Sequence, residues 1–352
     1  MAPTSGLDIQ SQTHSAAIHS TVGIVGAGSI GCFLGAILAQ DKSLAVQFFG
    51  REALGLELAA YGLSAGFPGG NVSAIAPAFY TSMVSLIECD VILLTVKAIS
   101  LPHLIPQLKK FIRPDVPVIA LQNGIGVDTM LSASLSNPVY RAVVPFNVVK
   151  TGPGHFQQTS SGQLLWPQSN QHKLDYLAAI FRHYGSGVQL CADMRAVEYG
   201  KLLLNLNNAL NALSGLPLKQ QLLQHDLRLV LAAAMQEWLQ VAKALQVKPQ
   251  AMTLLPNDWL PWLLRLPTRL FRLLARQMLK IDDAARSSMW DDIQAGRRTE
   301  VMYLNGAVVR LGIDTGIATP VNAAIVELVK HLEQGESLKL SPAQLRQQLL
   351  QR

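Results

Sequence analysis

Gly23-Ile24-Val25-Gly26-Ala27-Gly28-Ser29-Ile30-Gly31 is the stretch on which the fold turns. A short apolar run, residues 21–25, leads into it, and a helix-like run, residues 30–39, leads out. The G-x-G-x-x-G spacing needs glycine for a tight turn, for close approach of backbone to a pyrophosphate, and for packing of helix on strand. The first helical turn then offers unpaired N–H groups and the positive end of the helix dipole to phosphate. Glycine triplets also occur in ordinary turns, but the strand before and the helix after give this one the context of a dinucleotide-binding loop. Gly26, Gly28, Ser29, Ile30 and Gly31 are therefore the expected cofactor-binding residues.

Outward from the loop, residues 45–49, 91–96 and 116–121 are further short apolar runs separated by helix-like segments. Strands alternating with helices argue for βαβ units and a parallel sheet. Residues 141–149 and 187–191 read as later strands. After about Asp193 the pattern changes, and residues 196–212, 220–245 and 297–311 carry apolar side chains at helical spacing. The expected architecture is α/β: a Rossmann-type domain with a mostly parallel sheet over residues 21–192, then an all-α domain over residues 193–352. Residues 1–20 lack a basic start and a continuous apolar core, so they read as a loose tail rather than a signal peptide.

Composition limits the function classes. Of 352 residues, 49% are hydrophobic and 15% charged, which fits a folded chain with a sizeable core. The net charge of +6 is spread along the sequence and not interleaved with aromatics, so no nucleic-acid partner is expected. It suits a small anionic ligand instead. Three distant cysteines, and eight histidines without paired spacing, predict neither a disulfide framework nor a metal site, and suit a reducing, cytoplasmic setting. No apolar run reaches the roughly 18 residues of a membrane span.

The choice of dinucleotide is read at the end of the second strand. An acidic residue there would bond the ribose 2′-hydroxyl. The place instead reads Phe48-Phe49-Gly50-Arg51, with Arg51 twenty residues after Gly31. A guanidinium suits a 2′-phosphate through charge-assisted bonds, so NADPH is the expected cofactor. The plain alternative is a solvated arginine followed by Glu52.

Polar residues in apolar surroundings mark the chemistry. Lys97 and Asn123 end two buried-type strands, where open α/β sheets place ligands. In Lys201-Leu202-Leu203-Leu204-Asn205-Leu206-Asn207-Asn208, helical spacing puts Lys201, Asn205 and Asn208 on one face. Three asparagines within four positions of an apolar helix either bond neighbouring helices or line a polar cleft. A part-buried lysine there, its pKa lowered, could serve as general acid. Ser288 could bind a carboxylate and Glu300 could hold an ammonium, although Ser287-Ser288-Met289-Trp290-Asp291-Asp292 also reads as a capped helix start.

Taken in order, GIVGAGSIG, TVKA, LQNG, KLLLN, SSMWDD, RTEVMYLNG and GIATPVN resemble the ketopantoate reductase family. The resemblance implies a Rossmann domain holding NADPH and a helical domain, like the C-terminal part of 6-phosphogluconate dehydrogenase, closing over a small 2-keto acid. It implies transfer of the 4-pro-S hydride to the keto carbon while a lysine protonates the nascent alkoxide, in a step of pantothenate and coenzyme A synthesis. By position Lys201 resembles that lysine and Glu300 its acidic partner, which also borders the cofactor. Ser288 resembles the carboxylate-binding serine, Asn205 the asparagine on the substrate hydroxyl, and Asn208 lies beside them as a further substrate contact. Lys97 and Asn123 resemble the residues at the nicotinamide and substrate, and Arg51 the residue at the 2′-phosphate. A homodimer is the assembly held open.

Two features depart from the family pattern. A second asparagine, often found eight residues after the lysine, is replaced by Ala209. Residues 254–280 are rich in Trp, Leu and Arg, with Arg269, Arg272 and Arg276 expected opposite Leu270, Leu273, Leu274 and Met278 on one amphipathic helix. That pattern is read as a solvated basic face, with an anionic membrane surface or a partner as the alternative; Trp259 and Trp262 could instead narrow the cleft. The competing functions are reduction of a bulkier 2-keto acid, a non-catalytic NADPH-binding protein on the same fold, and the broader β-hydroxyacid dehydrogenase class.

Overall fold

The strand entering the glycine loop is fully packed on both sides, and the architecture follows from that. In the computed structural model, which describes residues 20–351 except 186, 281 and 339, β1 (Ser20–Val25) runs parallel to β2 (Leu44–Phe49). Val22 and Ile24 face one core layer and Val25 the other, as a strand buried on both faces requires. The loose tail expected over residues 1–20 lies, but for Ser20, outside the described residues.

Helix α1 (Ser29–Leu38) follows the loop and α2 (Glu52–Tyr61) follows β2. Then come β3 (Leu63–Phe67), β4 (Gly70–Ile75), β5 (Ala78–Tyr80) and β6 (Val91–Leu94). The chain continues through α3 (Leu101–Phe111), β7 (Val118–Ala120), α4 (Val127–Ser134) and β8 (Val139–Arg141). Six parallel strands in the order β5-β2-β1-β6-β7-β8 make the main sheet. A second sheet, β4-β3-β10-β9, uses β9 (Val148–Gly152) and β10 (His155–Gln158) and packs on α1. The strands β11 (Leu164–Pro167) and β12 (Val188–Cys191), with α5 (His172–Tyr184) between them, form a parallel pair.

The strand expected over residues 141–149 is interrupted. β8 stops at Arg141, and β9 starts only at Val148. Pro145 lies between them, with no N–H to donate to a ladder.

From Met194 onward the described elements are helices. They are α6 (Met194–Ser214), α7 (Leu218–Leu223), α8 (His225–Ala244), α9 (Trp259–Arg265) and α10 (Thr268–Leu274). After them come α11 (Ser288–Gln294), α12 (Asn305–Thr315), α13 (Pro320–Glu333) and α14 (Pro342–Leu350). Leu202, Leu206 and Leu210 of α6 pack with Leu231 and Trp238 of α8 in one apolar core. The Trp238 indole donates to the Tyr199 carbonyl at 2.9 Å, and the Glu237 carboxylate accepts from the N–H groups of Val321 and Asn322 at the start of α13.

Three sequence expectations shift here. Gln224 takes an extended backbone, so residues 220–245 divide between α7 and α8. Residues 297–304 are not helix: 297–300 are irregular, with Thr299 and Glu300 bonded to distant partners, and only turns over 301–304 precede α12. The single helix expected after Pro267 is only α10, and its leucines do not face inward: Phe271 and Ala275 are buried, while Leu270, Leu273 and Leu274 are 50%, 60% and 57% exposed. The three cysteines are buried and unpaired.

Candidate active site

The glycine loop is built as its sequence requires. Gly26 has φ +103°, a backbone that side chains avoid, and its N–H and that of Ala27 both donate to the Phe49 carbonyl at the end of β2. A Cβ on Gly31 would run into the Gly26 carbonyl and Thr95 Oγ1, so the helix can approach the strand only with glycine there. Gly28 borders open space instead: a Cβ there would meet nothing within 4 Å. The N–H groups of Ser29, Ile30 and Gly31 in the first turn of α1 have no intrahelical acceptor, and no side chain caps the helix. A loop with a free first turn and an open face fits a pyrophosphate. Arg51 follows β2 at the start of α2, exposed, with Glu52 next to it.

Several contacts draw the strand ends of the main sheet onto the helical half. Lys97, just past β6, donates to both carboxylate oxygens of Asp292 on α11, a side chain only 4% exposed. Arg297 Nε reaches the same carboxylate at 3.0 Å. Beside this link, Glu300 accepts from the Ala98 N–H at 2.9 Å and from the Asn123 side chain. Burial pushes the Glu300 carboxyl up from its ordinary value, against those bonds and the charge of Lys97.

Helix α6 supplies the opposing wall. Its N-cap, Asp193, accepts from the Ala196 N–H at 2.9 Å and so fixes where the helix begins. Lys201 is part-buried and donates to the Val144 carbonyl. Burial lowers its ammonium from 10.5 to about 8; the Arg141 guanidinium adds to the shift and the Glu300 carboxylate opposes it. The asparagines of this helix divide by function. Asn207 and Asn211 bond Gln221 of α7 at 2.6 and 2.8 Å, which makes them helix-to-helix ties. Asn205 and Asn208 are part-buried, and their side chains have no partner among the described residues. Ala209 is fully buried and faces the core.

Ser287, not Ser288, caps α11: its Oγ accepts from the Trp290 N–H at 3.2 Å and donates to the Asn208 carbonyl at 3.0 Å. Ser288 is left exposed at the first helical position.

Sequence reasoning missed Asp292, Arg141 and Glu198. Asp292 lies four residues after Ser288 and Glu198 three before Lys201, so helical spacing could have flagged both. Arg141 and Glu198 form a buried ion pair, and Arg141 also donates to the carbonyls of Ala120 and Gln122 at 3.3 and 2.8 Å, bracing the turn that carries Asn123. A cavity of about 890 Å³ opens on that pair, but its walls do not include Lys201 or Asn205. The group-by-group geometry around Lys201 is the better guide to chemistry, because titratable and unpartnered polar groups converge there. Among the described residues, no cluster of His, Cys, Asp and Glu could hold a metal ion, and no helix is long and apolar enough to cross a membrane.

Comparisons with known proteins place this arrangement. Residues 22–171 match the family described as ketopantoate reductase PanE/ApbA, and residues 193–333 match its C-terminal region. The 2-dehydropantoate 2-reductase of Caulobacter vibrioides is 28% identical over 316 residues, 88% of this chain and 98% of that protein. The crystal structure of a PanE/ApbA family ketopantoate reductase from Ralstonia eutropha superposes with a TM-score of 0.76 at 27% identity, covering 90% of this chain and 99% of that one. D-mandelate dehydrogenase, solved with NADH and anilino(oxo)acetate, shares the fold with a TM-score of 0.71 at 21% identity, covering 90% and 99%.

Together they define an NAD(P)-dependent oxidoreductase built from a parallel-sheet nucleotide half and a helical half. The chain belongs to the PanE/ApbA ketopantoate reductase family.

Proposed function

We propose that this protein reduces 2-dehydropantoate to pantoate with NADPH, and that Lys201 is the general acid. The observation that carries the reading is the Lys201 environment: a part-buried ammonium lowered to about 8, on one helix face with two unpartnered amides. A general acid works best with a pKa near the working pH.

In this reading residues 21–192 hold the cofactor and residues 193–352 supply most of the substrate contacts. The first-turn N–H groups of Ser29, Ile30 and Gly31, with Gly26 and Gly28, would hold the pyrophosphate, and Arg51 the 2′-phosphate. When bound, the reduced nicotinamide supplies a hydride to the keto carbon. As negative charge builds on the carbonyl oxygen, Lys201 Nζ stabilises it and delivers the proton. Glu300, fixed by Ala98 and Asn123, orients and later helps reload that ammonium. Ser288 binds the substrate carboxylate, Asn205 and Asn208 the substrate hydroxyl, and Lys97 with Asn123 borders the nicotinamide. The site would operate in the cytoplasm on a free small molecule.

The test is oxidation of NADPH, followed by loss of reduced-nicotinamide absorbance, with 2-dehydropantoate against NADH and a panel of other 2-keto acids. Fast turnover selective for NADPH and 2-dehydropantoate is expected. NADH serving equally well would remove the role given to Arg51.

One observation favours a second reading. Ala209 stands where the family pattern that the sequence resembles often has a second asparagine, and it is buried in the helical core, so one polar substrate contact would be missing. A bulkier, more apolar 2-keto acid ranking above 2-dehydropantoate would support it.

A further inference from the structure

The segment from Trp259 to Lys280 takes no part in the site described above, and its surface is unusual. Trp259 and Trp262 are 58% and 53% exposed, with rings packed edge to face at 6.3 Å. Leu270, Leu273 and Leu274 stand out from the neighbouring α10. Residues 259–280 hold five Arg or Lys and no Asp or Glu, and all five basic side chains are exposed.

These apolar groups are held outward by rigid structure. Arg228 of α8 is buried and donates to the carbonyls of Leu264 and Leu266 at 3.0 and 2.8 Å and to Leu222 at 2.9 Å, with its guanidinium 4.3 Å over the Phe271 ring. Inward-facing Leu260, Leu263, Leu264 and Phe271 fill the core. The outer residues therefore cannot rotate in without breaking those bonds.

We propose that this face docks the protein on an anionic lipid surface. Indoles and leucines beside arginines match a membrane interface, where the rings sit at headgroup level and the guanidiniums reach lipid phosphates. Charge decides against a second copy: a two-fold contact sets the same patch against itself, and five cations would face five cations. An acidic protein could supply the charge, but two outward indoles and three outward leucines on short, rigid helices fit an acyl-chain boundary better.

The test is co-sedimentation of the full-length protein, at low salt, with vesicles of equal phosphatidylcholine and phosphatidylglycerol and with vesicles of phosphatidylcholine alone. We expect binding to the mixed vesicles only, a blue shift of tryptophan emission on binding, and release at high salt. Arg269→Glu with Arg272→Glu is expected to weaken binding by at least about tenfold, and Arg269→Lys with Arg272→Lys to retain it. Both positions are exposed, and circular dichroism checks that each variant is folded. No binding to the mixed vesicles, or equal binding to both kinds, overturns the proposal. So does a dimer in light scattering that Leu273→Glu dissociates while vesicles bind nothing.

Discussion

Lys201 holds a charge where water reaches it poorly, and its pH behaviour separates stability from activity. The folded chain releases this proton near pH 8 and the unfolded chain near 10.5. Between those values the unfolded state binds more protons, so the Lys201 contribution to stability rises with pH across that window, and its full cost is present below it. Activity runs the other way: kcat/KM should fall above a pKa of about 8, as the general acid is lost. Lys201→Met should therefore be more stable than wild type at neutral pH, by a margin that shrinks as pH rises through the window; urea unfolding across pH reads it. Lys201→Ala should lower kcat by about 10²–10⁴-fold. At the cofactor, Arg51→Glu should cost at least about tenfold in NADPH affinity and spare NADH, measured by fluorescence titration. The glycines and Lys201 were legible in the sequence because local spacing defines them. Asp292 was not, because its partner Lys97 lies 195 residues away.

Among the elements, the α9–α10 hairpin depends on one side chain. Arg228 is a buried guanidinium without a carboxylate partner among the salt bridges of the described residues, and helix-end carbonyls balance it. Arg228→Met should lower unfolding free energy by about 3 kcal/mol, since it orphans three carbonyls and loosens Phe271; denaturant titration checks this. A change within about 1 kcal/mol would show that water takes over the carbonyls. The order of strands and helices could be read from hydrophobic periodicity. The direction of α10 could not: its leucines repeat as a core stripe would, yet Phe271 and Ala275 occupy the inner positions. The late start of α12 was hidden for a related reason, because Thr299 and Glu300 are held by Glu333 and Ala98, and the backbone bonds from Glu300 to Leu304 close turns and not yet a helix.

Over the whole molecule, Lys97–Asp292 and Ala98–Glu300 are among the ties that bring the sheet's strand ends to the helical half. Asp292→Asn should loosen this closure, raising KM for the keto acid severalfold while leaving NADPH binding to the free enzyme near its starting value. Steady-state kinetics with a separate cofactor titration distinguishes the two; an unmoved KM would show that the link is idle. The two-part plan was visible from the change in residue pattern near Asp193, but the closeness of its parts was not, since no local rule specifies contacts 202 positions apart, as between Ala98 and Glu300.

Those long ties also bear on how the protein is made. The glycine loop, Lys97 and Asn123 leave the ribosome early, Lys201 later, and Asp292 and Glu300 near the end. Until that last stretch emerges, a growing chain can offer a nucleotide cradle but not a finished catalytic cleft. If those residues carry the chemistry proposed, reactivity would be deferred to the closing moments of translation.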